Sequence, residues 1–439
     1  MTGVGKTFSS FAVTAAVASL LALSSSAQDL SKEIDTRTSA VMSKVITWRR
    51  DIHQHPELSN REVRTAKIVA DHLRALGLEV QTGIARTGVV GLLRGGRPGK
   101  VVALRADMDA LPVTEMVDLP FKSVEKSTYN GQEVGVMHAC GHDSHVAMLM
   151  GVAEVLAGMK AQIAGSVKFI FQPAEEGPPA GETGGALEMV NAGVLDNPKV
   201  DAIFGLHVMP MEQGTLWVRP GGLMASADTL TITVHGKQTH GAVPWGGVDP
   251  IAVSAQIVTA LQTIVSRQID ITTAPAIVTI GRISGGIRFN IIPDSVTMEG
   301  TIRALDPKMQ ADIHARVMRT AKLVAESAGA EADVKISNNA AVTFNDPALT
   351  AQMMETLRRV SGGRVNEVRP RTVAEDFSFF QQKVPGMFFY LGINAKGADL
   401  AKVAENHSPY FFVDEGALPT GVRAMANLAI DYLQSGKSP

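Results

Sequence analysis

The segment His138-Ala-Cys140-Gly-His142-Asp-Ser-His145 places one thiol and three imidazoles within eight positions. Thiolate and imidazole are ligands that suit zinc, iron, cobalt or manganese. The segment directly precedes a predicted helix, and a loop that leads into a helix can direct several side chains at one point. A lone histidine usually has a structural role, but this cluster favours a metal site.

Two adjacent carboxylates, Glu175 and Glu176, follow the apolar segment that ends at Phe171. Catalytic and ligand-binding groups gather at the carboxyl ends of such strands, where loops meet at a crevice. One carboxylate of such a pair can bind a metal while the other accepts a proton from water. A Glu-Glu pair alone is more typical of a solvated turn.

Two further histidines lie in comparable settings. His207 ends a predicted strand, and His407 lies in the turn-rich segment Glu405-Asn-His-Ser-Pro409. Each alone is an ordinary histidine, but together with the cluster they supply enough ligands for two ions. Cys140 is the single cysteine, so it forms no intramolecular disulfide. A buried apolar role is usual for such a thiol, yet its neighbours favour ligation.

The elements that must position these residues alternate between amphipathic helices and short apolar strands. Strands are predicted at 89–93, 101–104, 167–171, 202–207 and 387–391, and helices at 60–77, 148–159, 347–360 and 418–433. This alternation predicts an α/β domain, a sheet with helices on both faces.

A different order of elements is predicted between residues 226 and 337. Strands at 229–235, 276–283, 295–303 and 332–336 alternate with helices at 250–269 and 307–328. The order β-α-β-β-α-β is that of a ferredoxin-like unit. We therefore predict an inserted domain at 226–337 and a discontinuous first domain at 28–225 plus 338–439.

The N-terminal segment has the pattern of a signal peptide. Lys6 precedes an apolar run from Phe11 to Leu23, and small residues follow up to Ala27. The run is shorter than the roughly 20 residues that span a bilayer. We predict a signal peptide at 1–27, export to the periplasm or the medium, and no integral membrane anchor after processing. The net charge of −2, without a basic run, gives no support for nucleic-acid binding.

At this point the sequence resembles the aminoacylase, hippurate hydrolase and auxin-conjugate (IAA-amino acid) hydrolase family of two-metal amidohydrolases. The resemblance covers nearly the whole mature chain. It rests on the motifs DIHQHPE (51–57), RADMDAL (105–111), HACGHDSH (138–145), QPAEEG (172–177), GLH (205–207), HGAVP (240–244), FNIIP (289–293), EDFS (375–378) and NHSP (406–409).

The resemblance implies a zinc-peptidase-like catalytic domain, with a mixed sheet flanked by helices, and a lid domain through which two subunits form a homodimer. It implies two divalent ions, Zn2+ or Mn2+ with Co2+ and Ni2+ as further candidates. The implied metal ligands are Cys140, His142, Glu176, His207 and His407.

The same resemblance implies roles for other residues. Glu175 would be the general acid and base for a water molecule held between the metals, and Asp109 an orienting carboxylate. His240 would stabilise the developing oxyanion, often in the site of the partner subunit, and Asn290 would contact the substrate. Arg288 stands where relatives usually have a small residue, and we predict that it contacts a substrate carboxylate or narrows the acyl pocket.

The implied reaction is hydrolysis of the amide bond of N-acyl amino acids, either hippurate-like or N-acetylated. An exported metallodipeptidase or carboxypeptidase-like activity on the same site is the alternative. Two readings from other classes also stand: a thiol enzyme that uses Cys140 as the nucleophile, and a non-catalytic protein that binds amino acids. The thiol reading leaves the two carboxylates and the distant histidines without a purpose.

Overall fold

The computed structural model describes the backbone of residues 11–435 and the side chains of residues 30–435. The predicted signal peptide at 1–27 therefore lies largely outside the described residues, and its assignment stays a prediction. Within the described part, no helix combines the length and the apolar character needed to cross a membrane.

The helices of the described residues vary from one turn to more than forty residues. They are α1 (Phe11–Gln54), α2 (Val63–Ala75), α3 (His142–Ala157), α4 (Gly185–Asn191), α5 (Pro250–Thr263), α6 (Pro307–Ser327), α7 (Pro347–Val360), α8 (Ser378–Gln381) and α9 (Leu418–Gln434).

The strands form one large sheet, one medium sheet and several short pairs. They are β1 (Glu79–Ile84), β2 (Gly88–Arg94), β3 (Arg97–Asp107), β4 (Lys126–Tyr129), β5 (Gln132–Gly135), β6 (Ala164–Gln172), β7 (Ala202–Glu212), β8 (Leu216–Val218), β9 (Gly221–Met224), β10 (Ala227–His235), β11 (Thr239–His240), β12 (Ala276–Gly285), β13 (Ile291–Ile292), β14 (Ser295–Ala304), β15 (Glu331–Ala340), β16 (Thr343–Asn345), β17 (Val365–Glu367) and β18 (Gly386–Asn394).

The large sheet has eight strands in the order β1-β2-β6-β3-β7-β18-β8-β17. Its centre, β6-β3-β7-β18, is parallel, whereas β2 pairs antiparallel with β6 and β8 pairs antiparallel with β18. The predicted mixed sheet is therefore present. Parallel strands buried on both faces are expected to be continuously apolar, and the run Val101–Leu104 in β3 is buried throughout.

Helices α1, α3 and α9 pack together over one face of this sheet. Almost every side chain of α3 is buried, from His142 to Leu156. After its polar first turn the helix is apolar on nearly all sides, as expected for a helix at the centre of such a layer. The other face has its own apolar cluster, which includes Phe377, Phe380 and Phe388. Helices on both faces hold the central strands in place.

The second sheet has the order β12-β14-β10-β15 and is antiparallel throughout. With α5 and α6 it gives the predicted β-α-β-β-α-β order, and this strand order is that of a ferredoxin-like fold. Leu230, Ile257 and Ile313 lie in a core that this sheet and its two helices share. The exact boundaries of the two domains, 226–337 within 28–439, remain a prediction.

An Asp-Pro pair begins each of the helices α5, α6 and α7. The carboxylates of Asp249, Asp306 and Asp346 accept hydrogen bonds from backbone N–H groups of the first turn. The proline at the first helical position has no N–H that would need a partner. These starts were readable from the sequence, and the predicted helices at 250, 307 and 347 begin at the right residue.

The structure differs from the sequence prediction at the start of the helix that carries two of the histidines. Helix α3 begins at His142, six residues before the predicted start at Met148, so His142 and His145 belong to its first turn. Helix α1 continues to Gln54, so His53 lies in the last turn of a helix. There the ring of His53 pairs with Asp143 and Glu115.

Candidate metal centre

The predicted ligands converge where the central parallel strands separate. Strand β3 pairs with β7 only as far as Arg105 and Gly205, two residues before His207. Strand β6 ends at Gln172, shortly before Glu175 and Glu176. Loops that leave parallel strands in opposite directions open a crevice at their carboxyl ends. The crevice is therefore a consequence of the strand order.

A glycine brings Cys140 and His142 close to strand β7. Gly141 precedes α3 in a left-handed conformation with φ of 90°. A Cβ at this position would lie 2.3 Å from Cγ2 of Val208. Because only glycine tolerates both the conformation and the close approach, this residue allows the turn before α3 to lie directly against β7.

The rings of His142 and His207 each keep one nitrogen free for a ligand. Nδ1 of His142 donates to the carbonyl oxygen of Asp109 at 2.8 Å, and Nδ1 of His207 donates to the carbonyl oxygen of Val208 at 2.8 Å. The opposite nitrogen, Nε2, is therefore the unprotonated one in a neutral ring. Nε2 of His142 is buried without a hydrogen-bond partner, and Nε2 of His207 lies 3.3 Å from Sγ of Cys140.

Three overlapping groups of ligand atoms form one continuous cluster. Within each group the possible ligand atoms lie within 4.8 Å of one another. The first group is Cys140, His142 and His207, the second is Cys140, Glu176 and His407, and the third is His142, Glu175 and Glu176. The shared members, Cys140, His142 and Glu176, link the groups. All five residues predicted as ligands lie in this cluster, together with Glu175.

His407 enters the cluster from a strained loop. Its φ is 71°, which is rare for a residue with a side chain. Its backbone N–H donates to the carbonyl oxygen of Ala139 at 2.8 Å, which ties the loop to the turn that contains Cys140. Nε2 of His407 then lies 3.1 Å from Oε1 of Glu176. Strain of this kind concentrates at functional sites, where surrounding contacts maintain it.

Asp109 orients the turn that contains the two glutamates. Its carboxylate accepts the backbone N–H groups of Glu175 and Glu176, each at 3.0 Å, and the hydroxyl of Ser59 at 2.7 Å. Its backbone carbonyl also fixes the His142 ring. The contacts made by Asp109 therefore match an orienting role.

A buried arginine lies beneath the cluster. Arg105 donates to Asp107 at 2.6 Å, to Glu375 at 2.9 Å and to Asp376 at 3.1 Å, and all of these side chains are buried or nearly so. Removing one partner of a buried charge network typically costs about 3–5 kcal/mol of stability. Sequence analysis did not single out Arg105, although a charged residue inside an otherwise apolar strand was a visible signal.

His145 belongs to the same region, and both of its ring nitrogens have hydrogen-bond partners. Its Nδ1 donates to Asp107 at 2.6 Å, and its Nε2 accepts the backbone N–H of Val208 at 2.9 Å. A ring with both nitrogens engaged in this way holds β7 against α3, although His145 also lies within reach of a metal beside Asp107 and His142. Its omission from the predicted ligand set is consistent with this geometry.

The charge distribution of the cluster suits cations. Burial, together with the neighbouring carboxylates of Glu375 and Glu176, raises the pKa of Glu175 well above its usual range. Burial alone would lower the pKa of His142, but the neighbouring carboxylates of Asp107 and Asp109 raise it to about 10. Both shifts mean that this site stabilises added positive charge, and a divalent ion supplies such charge. The sulfur, nitrogen and oxygen donor atoms of the cluster also fit a divalent metal ion.

The electrostatics of Cys140 are unlike those of a nucleophilic thiol. Burial and the charges of Glu176 and Glu175 raise the pKa of the Cys140 thiol well above its usual range. A reactive cysteine needs a lowered pKa and partial exposure, whereas Cys140 is buried. Bound to a metal, the same thiol loses its proton outright.

The lid residues predicted to act on the substrate lie together but away from the cluster. His240 on β11 pairs with Ile291 on β13, and the N–H of Gly241 donates to the carbonyl oxygen of Asn290. His240 and Arg288 are exposed. His240, Arg288 and Asn290 are all missing from the wall of the cavity beside the cluster.

That cavity has a volume of about 730 Å³ and lies between the two sheets. From the large-sheet side it is lined by Cys140, Glu175, Glu176, His207 and His407. From the second sheet it is lined by Arg303 of β14 and Asn339 of β15. Two lining residues that the sequence analysis did not single out are Arg371 and Tyr390. A volume of this size accommodates a small organic substrate.

Comparison with known proteins agrees with this geometry. The model of the peptidase family M20/M25/M40 matches residues 103–431. Thermostable carboxypeptidase 2 of Saccharolobus solfataricus is 43% identical over 407 residues, which are 92% of this chain and 99% of the relative. IAA-amino acid hydrolase ILR1-like 5 of Arabidopsis thaliana is 38% identical over 398 residues, 89% of this chain and 87% of the relative.

Among solved structures, a Bacillus subtilis protein described as a dinuclear metal binding peptidase from the M20 family is 35% identical to this chain. The match has a TM-score of 0.74 and covers 90% of this chain and 99% of that chain. The chain belongs to the M20 family of metal-dependent amidohydrolases and peptidases. It is an enzyme that acts on amide bonds, and the resemblance to auxin-conjugate hydrolases is confirmed.

Proposed function

We propose that this protein hydrolyses the amide bond of N-acyl amino acids, hippurate-like or N-acetylated, at a two-metal centre. Cys140, His142, Glu176, His207 and His407 would hold the ions, with Zn2+ or Mn2+ as the first candidates. The observation that carries the proposal is the continuous cluster of these ligand atoms with Glu175 at its edge.

Two divalent ions at such a cluster lower the pKa of a water molecule and polarise the carbonyl of an amide. The protein groups then have separate tasks. Glu175 is the group that accepts the proton of the attacking water and later donates it to the departing amine. An Oε atom of Glu175 lies 3.9 Å from Nε2 of His142, so the base is next to the ligands. Asp109 keeps this base in place through the backbone of residues 175 and 176.

Support for N-acyl amino acids comes from the family relatives. One relative is named for the hydrolysis of IAA-amino acids, which are amides between an acyl group and an amino acid. The carboxypeptidase relative supports the alternative, in which the same centre cleaves a peptide. Both substrates share the amide bond and differ in the group on its acyl side. The size of the cavity admits either.

A hydrolysis panel tests the proposal. We expect the purified protein, loaded with Mn2+ or Zn2+, to release free amino acid from N-acetyl or N-benzoyl amino acids with a kcat/KM at least about 10-fold above that for dipeptides. Ninhydrin detection or mass spectrometry would measure both classes. A preference for dipeptides or longer peptides would instead establish the carboxypeptidase-like alternative.

We also propose that the protein acts as a homodimer in which the lid carries His240 to the cavity of the partner. The support is that His240 and Asn290 lie side by side on the lid yet outside the cavity of their own chain. The adjoining surface exposes large apolar side chains, Trp245, Ile287 and Phe289, of which the last is 96% exposed. Neighbouring apolar groups this exposed support an interaction surface on the lid.

Complementation of two inactive variants tests the dimer. H240A lacks the lid group and E175Q lacks the base. In a mixed dimer one site receives intact residues from both chains, so random pairing should restore roughly a quarter of the wild-type activity. The measurement is the rate after the two proteins are mixed and allowed to exchange subunits. An inactive mixture that contains mixed dimers would contradict a site built from two chains.

We propose further that the protein acts outside the cytoplasm after removal of residues 1–27, as the pattern of that segment suggests.

A further inference from the structure

Two groups in the cavity wall have no part in the proposed metal binding or proton transfer. These are the guanidinium of Arg371 and the hydroxyl of Tyr390. Arg303 is a second arginine in the wall, but its guanidinium donates to the backbone carbonyl of Ser226 at 3.3 Å. Arg371 is therefore the less engaged of the two arginines.

The backbone of Arg371 is held firmly at the cavity wall. Its N–H donates to the carbonyl oxygen of Leu223 at 3.0 Å, and its carbonyl accepts the N–H of Ala225 at 3.1 Å. These bonds extend strand β9 by a bridge between Met224 and Arg371. A fixed backbone places the base of this side chain at a defined point of the cavity wall, which favours a recognition role.

The guanidinium has a weak partner. The nearest charged contact of Arg371 is Oε2 of Glu405 at 3.7 Å, and the Glu405 side chain is 68% exposed. An ion pair this exposed contributes little free energy. A carboxylate of a ligand can therefore replace Glu405, which then turns into solvent. A planar guanidinium matches a carboxylate with two parallel hydrogen bonds.

Tyr390 is buried beside the proposed metal ligands. It is the cross-strand neighbour of His207 in the β7–β18 pair, and it is only 1% exposed. Its hydroxyl has no hydrogen-bond partner among the described residues. A buried hydroxyl normally finds a partner, and a ligand in the cavity would provide one.

We propose that Arg371 and Tyr390 bind the carboxylate of the amino-acid half of the substrate, and that Arg371 makes the enzyme selective for amides with this free carboxylate. The inference rests on the proposed function. In an N-acyl amino acid a single carbon separates the carboxylate from the scissile nitrogen, so the carboxylate must lie near the metal centre. Glu175, Glu375 and Asp376 also line the cavity and would repel it. A cation at the wall offsets this repulsion.

The test compares an N-acyl amino acid with its carboxamide, which has the same shape but no negative charge. In R371Q we expect kcat/KM for the acid to fall roughly 10- to 100-fold, mainly through KM, while kcat/KM for the carboxamide changes less than about twofold. In Y390F we expect a loss of about three- to tenfold, again for the acid alone. The matched control is R369Q, because Arg369 is exposed and lies outside the cavity wall.

The ratio of the two substrates separates the possible results. If R371Q lowers kcat/KM equally for the acid and the carboxamide, or leaves both unchanged, the carboxylate assignment is overturned. The proposed hydrolysis of acyl amino acids by the wild-type protein is unaffected by that result. A wild-type protein that shows no metal-dependent hydrolysis of any acyl amino acid would instead refute the proposed function itself. Only a selective loss on the acid supports Arg371 as the carboxylate-binding residue.

Discussion

Replacing Glu175 with glutamine is expected to leave a folded, metal-binding protein whose kcat is lower by about 10²- to 10⁴-fold, the usual contribution of a general acid-base group. Glutamine has nearly the same shape and keeps the backbone N–H that Asp109 accepts at 3.0 Å. It has no carboxylate that accepts a proton from water. Steady-state kinetics would give the loss, and elemental analysis of the purified variant would show that the metals remain.

A control within the same loop is Glu182→Gln. Glu182 forms an ion pair with Arg61 and does not line the cavity, so it takes no part in proton transfer there and its replacement should change kcat by less than about twofold. Wild-type activity in E175Q would remove Glu175 as the base. Loss of the metals in that variant would mean that Glu175 is a ligand.

Removal of the metals is expected to abolish amide hydrolysis completely, and addition of Mn2+ or Zn2+ should restore it. The metal-free protein should also unfold at a lower temperature. A ligand present at 100 times its dissociation constant stabilises the folded state by about 2.7 kcal/mol. Without cations Glu175 stays beside the carboxylates of Glu176, Glu375 and Asp376, which adds to the loss. Activity assays and thermal unfolding after dialysis against a chelator would measure both effects.

The same experiment separates the metal enzyme from the thiol enzyme. A protein that uses Cys140 as a nucleophile would keep its activity in the chelator. The raised pKa of this thiol argues against that outcome, because burial and the neighbouring glutamates disfavour the thiolate in the absence of a cation. Full activity in the metal-free protein would nevertheless decide for the thiol.

Much of the metal centre was predictable because its signals are local. Cys140 and His142 belong to one short motif, and Glu176 and His207 follow or end apolar strands whose carboxyl ends meet at one edge of a parallel sheet. The structure brings these residues together with His407, as the sequence analysis expected. The identification of roles depended on the resemblance to a family, since spacing alone does not separate a base from a ligand.

Other features could not be read from the sequence because they depend on distant partners. His145 has the same residue type as His142 and lies three positions away, yet its nitrogens are used by Asp107 and by the backbone of Val208. The hydrogen bonds of Arg105 join β3 to two other segments, through Gln172 and through Glu375 and Asp376. The sequence analysis predicted strands at 276–283 and 295–303 and no strand between them, but Ile291 and Ile292 pair with β11, much earlier in the chain.

The position of His407 near the end of the chain has a consequence for biosynthesis. The other four proposed ligands lie before the inserted β-α-β-β-α-β unit, and His407 lies after it. A polypeptide that emerges from a ribosome or a translocation channel with its N-terminus first thus cannot assemble the full coordination sphere until nearly all of it has emerged. We therefore expect the coordination sphere to be completed only late in maturation, after the inserted unit has been made.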